Sequence, residues 1–585
     1  MYILGLNAFH GDSSACLIKD DKVIAAVEEE RFRRIKHWAG FPSESIKWCL
    51  LEAKIDLEEV NHIALNQDVK ANFVKKIIYT LKKTPNLKML VDRFHNKLKR
   101  MTIKDHLLKA FPNSEFKGTI HSVEHHTAHL SSAFHVSPFN DAIVVSVDGF
   151  GDFASTAWAV GAKTKIDVKG QVFFPHSLGI FYQALTQFIG FHNYGDEYKV
   201  MGLAPYGKPT FVNQIREIVK SKSDGTFELN LTYFRHHKEK IDYKWEEGSP
   251  YVGTLFSSNL EKILGPARKK DQQLTQKHKD IAHSVQFVYE EIFFNILKAL
   301  HKKYNIDNLA LAGGCAMNSV ANGKILLNTP YKKIYVQAAA GDAGGAIGAA
   351  MKTWHKIGGE KAKKKINPHN HAYWGPSFSN DYIRNLLRSQ KNRIEKENCI
   401  IKNFSKVSKL IKLTAAEIEK GKVIGWFQGK MEWGPRALGN RSIICDPRRS
   451  DMKDILNLKI KRRESFRPFA PSVLSEDVAD WFEQNDDVPF MMQVYQINEN
   501  KRSKIPAVTH IDGSGRLQTV NKKTNPRYHQ LISEFKTLTG IPMLLNTSFN
   551  ENEPVVCKPE EALETFLRTK MDILVMGDQM IKREN

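Results

Sequence analysis

The most constraining feature of the sequence is a β-rich pattern that occurs twice. Tyr2–Asn7 is apolar and leads into the turn-forming run His10-Gly11-Asp12-Ser13-Ser14. Residues 15–18, a turn at Asp20-Asp21 and residues 22–28 complete a strand–turn–strand–turn–strand unit. Residues 141–147 form a second apolar β-rich run, followed by Asp148-Gly149-Phe150-Gly151-Asp152 and then residues 155–160. Two such units predict an internal structural duplication. Further on, Ile281, Val285, Val288, Ile292 and Ile296 recur at helical spacing. Strand patterns at 308–312 and 333–337 then end in Gly313-Gly314 and in Gly341-Asp342-Ala343-Gly344-Gly345. Alternating helices and strands predict an α/β architecture.

The chain has 585 residues, too many for one hydrophobic core. Residues 358–365 (GGEKAKKK), followed by Asn367-Pro368, carry charge and glycine without apolar periodicity. They read as a linker. We therefore expect a first domain over 1–360, a linker over 361–370, and a second α/β domain over 371–585. The second domain should contain strands near 422–427, 542–545 and 572–576.

Six scattered cysteines form no CxxC pair. That argues against a disulfide framework or a thiolate zinc site, and for a reducing compartment. No stretch of about 20 apolar residues is present, and no basic region precedes the short apolar start. The expectation is a cytoplasmic protein with no membrane partner. The net charge of +22 admits three readings: a nucleic-acid surface, dispersed solvated lysines, or local sites for phosphate-bearing substrates. The arginines of 431–467 favour the third reading for that region.

His125-His126-Thr127-Ala128-His129 is the sharpest N-terminal cluster. On a helix, His125 and His129 share one face and can reach one metal ion. Asp148 ends an apolar strand just before a glycine and Asp342 sits in a GDAGG turn, both placed where a strand delivers a carboxylate to a cleft. Two imidazoles and two carboxylates suit a divalent transition metal. The glycine loops at 10–14, 148–156 and 313–314 allow backbone N–H groups to approach phosphate closely. No GxxxxGK[ST] motif occurs, so this is not a P-loop chain. In the second half, Gly and Pro around Arg436 mark a fixed loop. Lys459, Lys461, Arg462, Arg463 and Arg467 follow it. Arg448, Arg449 and part of 459–463 read as solvated, whereas Arg436 and Arg467 sit among apolar residues and read as anion ligands. Asn546-Thr547-Ser548 ends an apolar strand, a frequent ligand position.

Together these motifs resemble the O-carbamoyltransferase family typified by NodU, CmcH and TobZ. The likeness runs through EERFRRIKH (29–37), HHTAH (125–129), VDGFGD (147–152), GDEYKVMGLAPYG (195–207), LAGGCAMN (311–318) and GDAGGAIGAA (341–350). It continues through QGKMEWGPRALGNRSI (428–443), ESFRPFAPSV (464–473) and LLNTSFN (544–550). The resemblance implies a duplicated N-terminal domain of the actin/Hsp70/sugar-kinase (ASKHA) type and a YrdC-like C-terminal domain. It implies that carbamoyl phosphate and ATP form carbamoyl-adenylate and pyrophosphate in the second domain. The carbamoyl group would then pass, in the first domain, to a hydroxyl of a small-molecule or saccharide acceptor.

Carried over by position, Arg436, Lys461, Arg467, Asn546 and Ser548 fall on the carbamoyl-phosphate pocket. His125, His129, Asp148 and Asp342 fall on a site for iron. His10 and Asp148 take catalytic positions, and Gly313, Gly314, Asn318 and Gly344 the nucleotide position. Mg2+ would accompany ATP. The HGD order at 10–12 departs from the commoner adjacent His-Asp and leaves Asp12 without an assigned role. The rival readings are a tRNA threonylcarbamoyladenosine-type enzyme, which would use the basic charge, and an ATP-gated Hsp70-like binding protein. The arginine loop favours carbamoyl phosphate over both, and no nucleic-acid partner is expected.

Overall fold

A computed structural model describes residues 1–82, 102–239, 241–244, 247–363 and 368–584. Residues 364–367, part of the expected linker, lie outside the described set. The first sheet contains β1 (Tyr2–Asn7), β2 (Ser14–Lys19), β3 (Lys22–Glu28), β4 (His62–Leu65) and β5 (Thr119–Ser122), in the order β3-β2-β1-β4-β5. β1 runs antiparallel to β2 and parallel to β4. The second sheet contains β6 (Asp141–Gly151), β7 (Ala154–Ala162) and β8 (Lys165–Phe173). Two short hairpins follow: β9 (Val219–Ser221) with β10 (Phe227–Leu229), and β11 (Tyr243–Lys244) with β12 (Tyr251–Val252). β13 (Asn308–Ala312) and β14 (Lys333–Val336) complete the second sheet, in the order β14-β13-β6-β7-β8. Here too the first strand is antiparallel to the second and parallel to the fourth. The two sheets thus share one topology, and the duplicated pattern in the sequence is a duplicated fold. Ile3, Leu4 and Leu6 are all fully buried, as expected of strands covered on both faces.

One element differs from the sequence reading. β6 does not stop at Val147: it slips register between Val147 and Gly151 and turns only at Asp152-Phe153. Those two residues adopt φ of 48° and 78°, the geometry of a two-residue hairpin turn that usually takes Asn-Gly. The irregularity places Asp148 inside the strand; such bulges re-aim a side chain.

The connection from β4 to β5 contains α1 (Phe73–Lys82) and the helix Ile103–Ala110. Between the sheets lie α2 (His125–Phe134) and α3 (Gly344–Ile357). Small residues let these backbones touch: a Cβ at Gly5 would fall 1.9 Å from the Ala346 carbonyl oxygen, and one at Gly348 would fall 1.8 Å from that of Ala128. The GDAGGAIGAA run is therefore a packing requirement.

The second half is a nine-stranded mixed sheet. Its strands are β15 (Cys399–Asn403), β16 (Ile424–Phe427), β17 (Arg441–Cys445), β18 (Ala470–Leu474), β19 (Gln493–Gln496), β20 (Ser514–Val520), β21 (Met543–Ser548), β22 (Ile573–Met576) and β23 (Gln579–Arg583). The order is β15-β23-β22-β16-β17-β21-β18-β20-β19. It has its own core around Trp426, Tyr528 and Phe535. Trp374, Trp433, Phe490 and Met491, however, join the core of the first half. Arg34 reaches across to the carbonyls of Pro554 and Val555.

Candidate functional site

α2 begins at His125, capped by Glu124, whose carboxylate accepts from Thr127 N at 2.7 Å. The backbone N–H of His125 donates to Asp152 Oδ2 at 2.9 Å, so the strained hairpin fixes the start of the helix. One helical turn then brings the rings of His125 and His129 together edge to face, with Nε2 atoms 3.1 Å apart. Asp148 arrives from the β6 irregularity and Asp342 from the loop before α3. His129 Nε2 lies 2.9 Å from Asp148 Oδ2 and 3.4 Å from Asp342 Oδ1; His125 Nε2 is 3.6 Å from each.

Ligand atoms of all four side chains lie within 4.8 Å of one another. Adjacent ligands of a metal bonded at about 2.0–2.2 Å are about 3 Å apart, which fits this cluster. Burial alone would raise the Asp148 carboxyl, but the two imidazoles outweigh it and hold it well below the usual carboxylate range. Burial pulls His129 down, and Asp148 and Asp342 lift it to about 9. Such mutual perturbation in a cleft makes the cluster a candidate functional site.

His10 stands beside this group, its ring centroid 5.5 Å from that of His125. Burial, then the neighbouring His125, lowers its pKa to about 4, so it is neutral and able to accept a proton. Its Nε2 is buried without a hydrogen-bond partner. Asp12, without a role in the sequence reading, pairs with His37 Nδ1 at 2.7 Å.

The glycine loops lie against the same cluster. Gly313, at φ 90°, would drive a Cβ to 2.3 Å from the Val147 carbonyl oxygen; at Gly314 a Cβ would meet Asp148 Oδ1 at 2.9 Å. Gly313 N donates to Ala340 O at 2.7 Å, joining this loop to the one that carries Asp342. Asn318 instead caps the helix Ser319–Asn328 and exchanges hydrogen bonds with Gln286 at 3.0 and 3.2 Å. Gly344 is buried, and a Cβ there would sit 2.1 Å from Ala339 O.

A second site lies between the halves. Glu432 Oε1 accepts from the N–H groups of Leu438, Asn440 and Arg441 at 2.8, 2.8 and 3.1 Å, folding the loop around its own carboxylate. That loop presents Arg436 to a cavity of about 260 Å³, which Arg467, Asn546 and Ser548 also line. Asn546 Nδ2 is engaged by Ala437, Ser472 and Gln518, while its Oδ1 is buried and unpartnered. Lys461 is not in the lining. Its ammonium is held by Asn550 O at 2.8 Å and Asn550 Oδ1 at 2.7 Å, so it ties down the NTSFN loop from behind.

Two lining arginines escaped the sequence reading. Arg463, placed there in a solvated run, is turned inward and stacks on Phe469 with its guanidinium 4.8 Å from the ring. The chain reverses at Arg462, φ 43°, after the wide helical turn Ile455–Lys461, and this sends Arg463 into the cavity. Arg516 comes from β20, where a lone arginine among Leu517 and Val520 gives no motif. Burial lowers Arg436 to about 10 and Arg463 to about 9, the latter also through Arg467. Arg516 falls well below its ordinary value through burial and then through Arg436, Arg463 and Arg467. Half-buried cations that repel one another suit an anion.

Residues 2–351 match the family profile described as carbamoyltransferase N-terminus, and residues 415–583 the one described as carbamoyltransferase C-terminus. An uncharacterised protein of Synechocystis is 39% identical over 100% of this chain and 97% of its own length. The nodulation protein NolNO of Sinorhizobium fredii is 37% identical over 99% of this chain and 80% of its own. The 3'-hydroxymethylcephem-O-carbamoyltransferase of Amycolatopsis lactamdurans is 32% identical over 47% of this chain and 49% of its own.

Proposed function

The chain belongs to the carbamoyltransferase family, and on that premise we propose an ATP-dependent O-carbamoyltransferase that works in two steps at the two sites. The observation that carries this reading is the set of half-buried arginines around one cavity between the halves. Carbamoyl phosphate is a small dianion, and Arg436, Arg463, Arg467 and Arg516 supply charge-assisted donors for it. Its carbamate end meets Asn546 Oδ1, an acceptor suited to the carbamoyl NH2. Water attacks the carbonyl of carbamoyl phosphate there, the bond to the phosphate oxygen breaks, and carbamate and inorganic phosphate result; a carbamate oxygen then attacks the α-phosphorus of ATP, and pyrophosphate leaves. In this reading the first half is of the ASKHA type and the second YrdC-like, with a boundary within 361–370. The protein acts in the cytoplasm with Mg2+ accompanying ATP.

The carbamoyl-adenylate then meets a hydroxyl acceptor beside His125, His129, Asp148 and Asp342. Those four would hold a divalent ion, iron by the resemblance, which supplies Lewis acidity when bound. Gly313 and Gly314 leave room for the adenylate phosphate beside Asp148. Neutral His10 takes the proton of the acceptor hydroxyl as the oxygen attacks the carbamoyl carbon; AMP leaves with the electron pair of the broken C–O bond. Separating the sites within one chain keeps a hydrolysable intermediate from water.

Two variants and two donors test this scheme. Asp148→Asn should still release pyrophosphate from ATP when carbamoyl phosphate is present, and should carbamoylate no acceptor. Arg436→Ala should fail with carbamoyl phosphate yet use supplied carbamoyl-adenylate. Wild-type pyrophosphate release that is indifferent to carbamoyl phosphate would overturn the reading.

A further inference from the structure

The connection between β4 and β5 carries charge and apolar surface that the chemistry above does not use. Residues 70–110 contain ten lysines and two arginines against two aspartates, so they hold ten of the chain's 22 net positive charges. Within this connection α1 faces the wrong way for a globular helix. Phe73, Val74, Ile77, Ile78 and Leu81 share one helical face and are 61%, 67%, 41%, 43% and 74% exposed. Val69, just before α1, and Leu108, on the helix Ile103–Ala110, are 57% and 61% exposed. The inner face is held by other residues: the Tyr79 ring packs edge-on against Phe153 and Phe174 at 5.8 and 5.1 Å.

A surface helix normally turns its apolar arc to the core, and a contiguous exposed arc marks a partner. Lys70, just before α1, and Lys75, on it, are exposed. An arc of Phe, Ile and Leu bordered by lysine is the composition of a helix that lies in a bilayer interface. There, apolar residues enter the acyl boundary and each cation near the surface gains about 1 kcal/mol from anionic headgroups.

We propose that α1, with Val69, docks this protein on an anionic bilayer surface. Nucleic acid offers nothing to an aliphatic arc, and two copies of so basic a region repel each other. The sequence expectation of no membrane partner weighed a spanning segment and a secretory start, and a helix lying on the surface needs neither. The docked element is tied to the metal cluster. Asn72 Nδ2 donates to Asp152 O at 3.0 Å and Asp68 N donates to Asp152 Oδ2 at 2.8 Å. The same carboxylate holds the first N–H of α2. On the functional reading above, this sets the transfer site beside a membrane-borne acceptor.

The test is sedimentation of the full chain with vesicles of phosphatidylcholine plus phosphatidylglycerol, and with phosphatidylcholine alone. Wild type should bind the anionic vesicles at least about tenfold more tightly, and salt should weaken that binding. Ile77→Glu/Leu81→Glu should lose binding to both vesicle types. Lys70→Glu/Lys75→Glu should lose the preference for anionic vesicles. Pyrophosphate release driven by carbamoyl phosphate in solution should be unchanged in both variants, which reports on folding and on the functional reading separately. Equal wild-type binding to both vesicle types, or variants that sediment like wild type, would refute docking. So would binding to RNA without vesicles, or a dimer that Ile77→Glu dissolves.

Discussion

Arg31 donates to the carbonyl of Gly434 at 2.8 Å, joining two positions 403 residues apart in sequence. The Gly434 N–H donates in turn to Glu28 Oε1 at 2.7 Å, and Glu28 and Arg31 are themselves ion-paired at 3.4 Å. Both side chains are buried. Gly434 has φ 97°, and a Cβ there would fall 2.6 Å from Ala338 O. One backbone position thus links the strand that becomes the EERF motif, the loop that presents Arg436 and the segment leading to Asp342.

Arg31→Ala leaves Glu28 buried without its cation. Breaking a buried pair costs about 3–5 kcal/mol. Chemical denaturation should show a loss of that order. Arg31→Met/Glu28→Gln, which removes both charges, should recover part of it.

Elemental analysis of chelator-free wild type should find a bound transition metal, and the double variant His125→Ala/His129→Ala should lose it. Equal metal in both proteins would discard the ligand assignment. Gly348→Ala should act on the same readout from a distance. Its added methyl presses on the Ala128 carbonyl oxygen, next to His129. Overpacking of this kind costs about 1–3 kcal/mol, and metal content should fall with it.

Arg516→Ala should weaken carbamoyl-phosphate-dependent pyrophosphate exchange as strongly as Arg436→Ala, about tenfold to a hundredfold for one lost charged contact. Lys461→Ala should behave differently. Its ammonium ties Asn550, so the variant should lose thermal stability as well as exchange, whereas Arg516→Ala should keep or gain stability by relieving repulsion.

The His37–Asp12 pair makes a pH prediction. Burial lowers His37, but the Asp12 carboxylate outweighs it and raises the imidazole from 6.5 to about 9. Burial raises Asp12, and His37 outweighs that and lowers it from 3.8. A raised histidine stabilises fully below its unfolded value and loses that contribution as pH climbs through the folded one. A lowered carboxyl stabilises above its unfolded value and loses that contribution as pH falls. Asp12→Asn should therefore destabilise most between about pH 4 and 6.5, and least above about pH 9. A constant difference across that range would remove the pair from the stability account.

The duplicated sheets and the His125/His129 face were legible because each follows from a period: two for strands, 3.6 for helices. Arg436 was legible because proline and glycine fix the loop around it. Arg463 was not, since a basic run looks the same whether a helix continues into solvent or reverses at one left-handed residue. Arg516 was not, since its burial is set by strands distant in sequence. The part of the site drawn from tertiary neighbours, including the partnership of Asp12 with His37, leaves no local trace.

Trp374 and Trp433 sit in the apolar core of the first half although they belong to the second. A shared interior makes the halves poor modules for inheritance. A recombination event that swaps only the latter half must import indoles shaped to a foreign cleft, and mismatches there misplace both reaction centres together. Heating should likewise melt the chain in a single calorimetric transition.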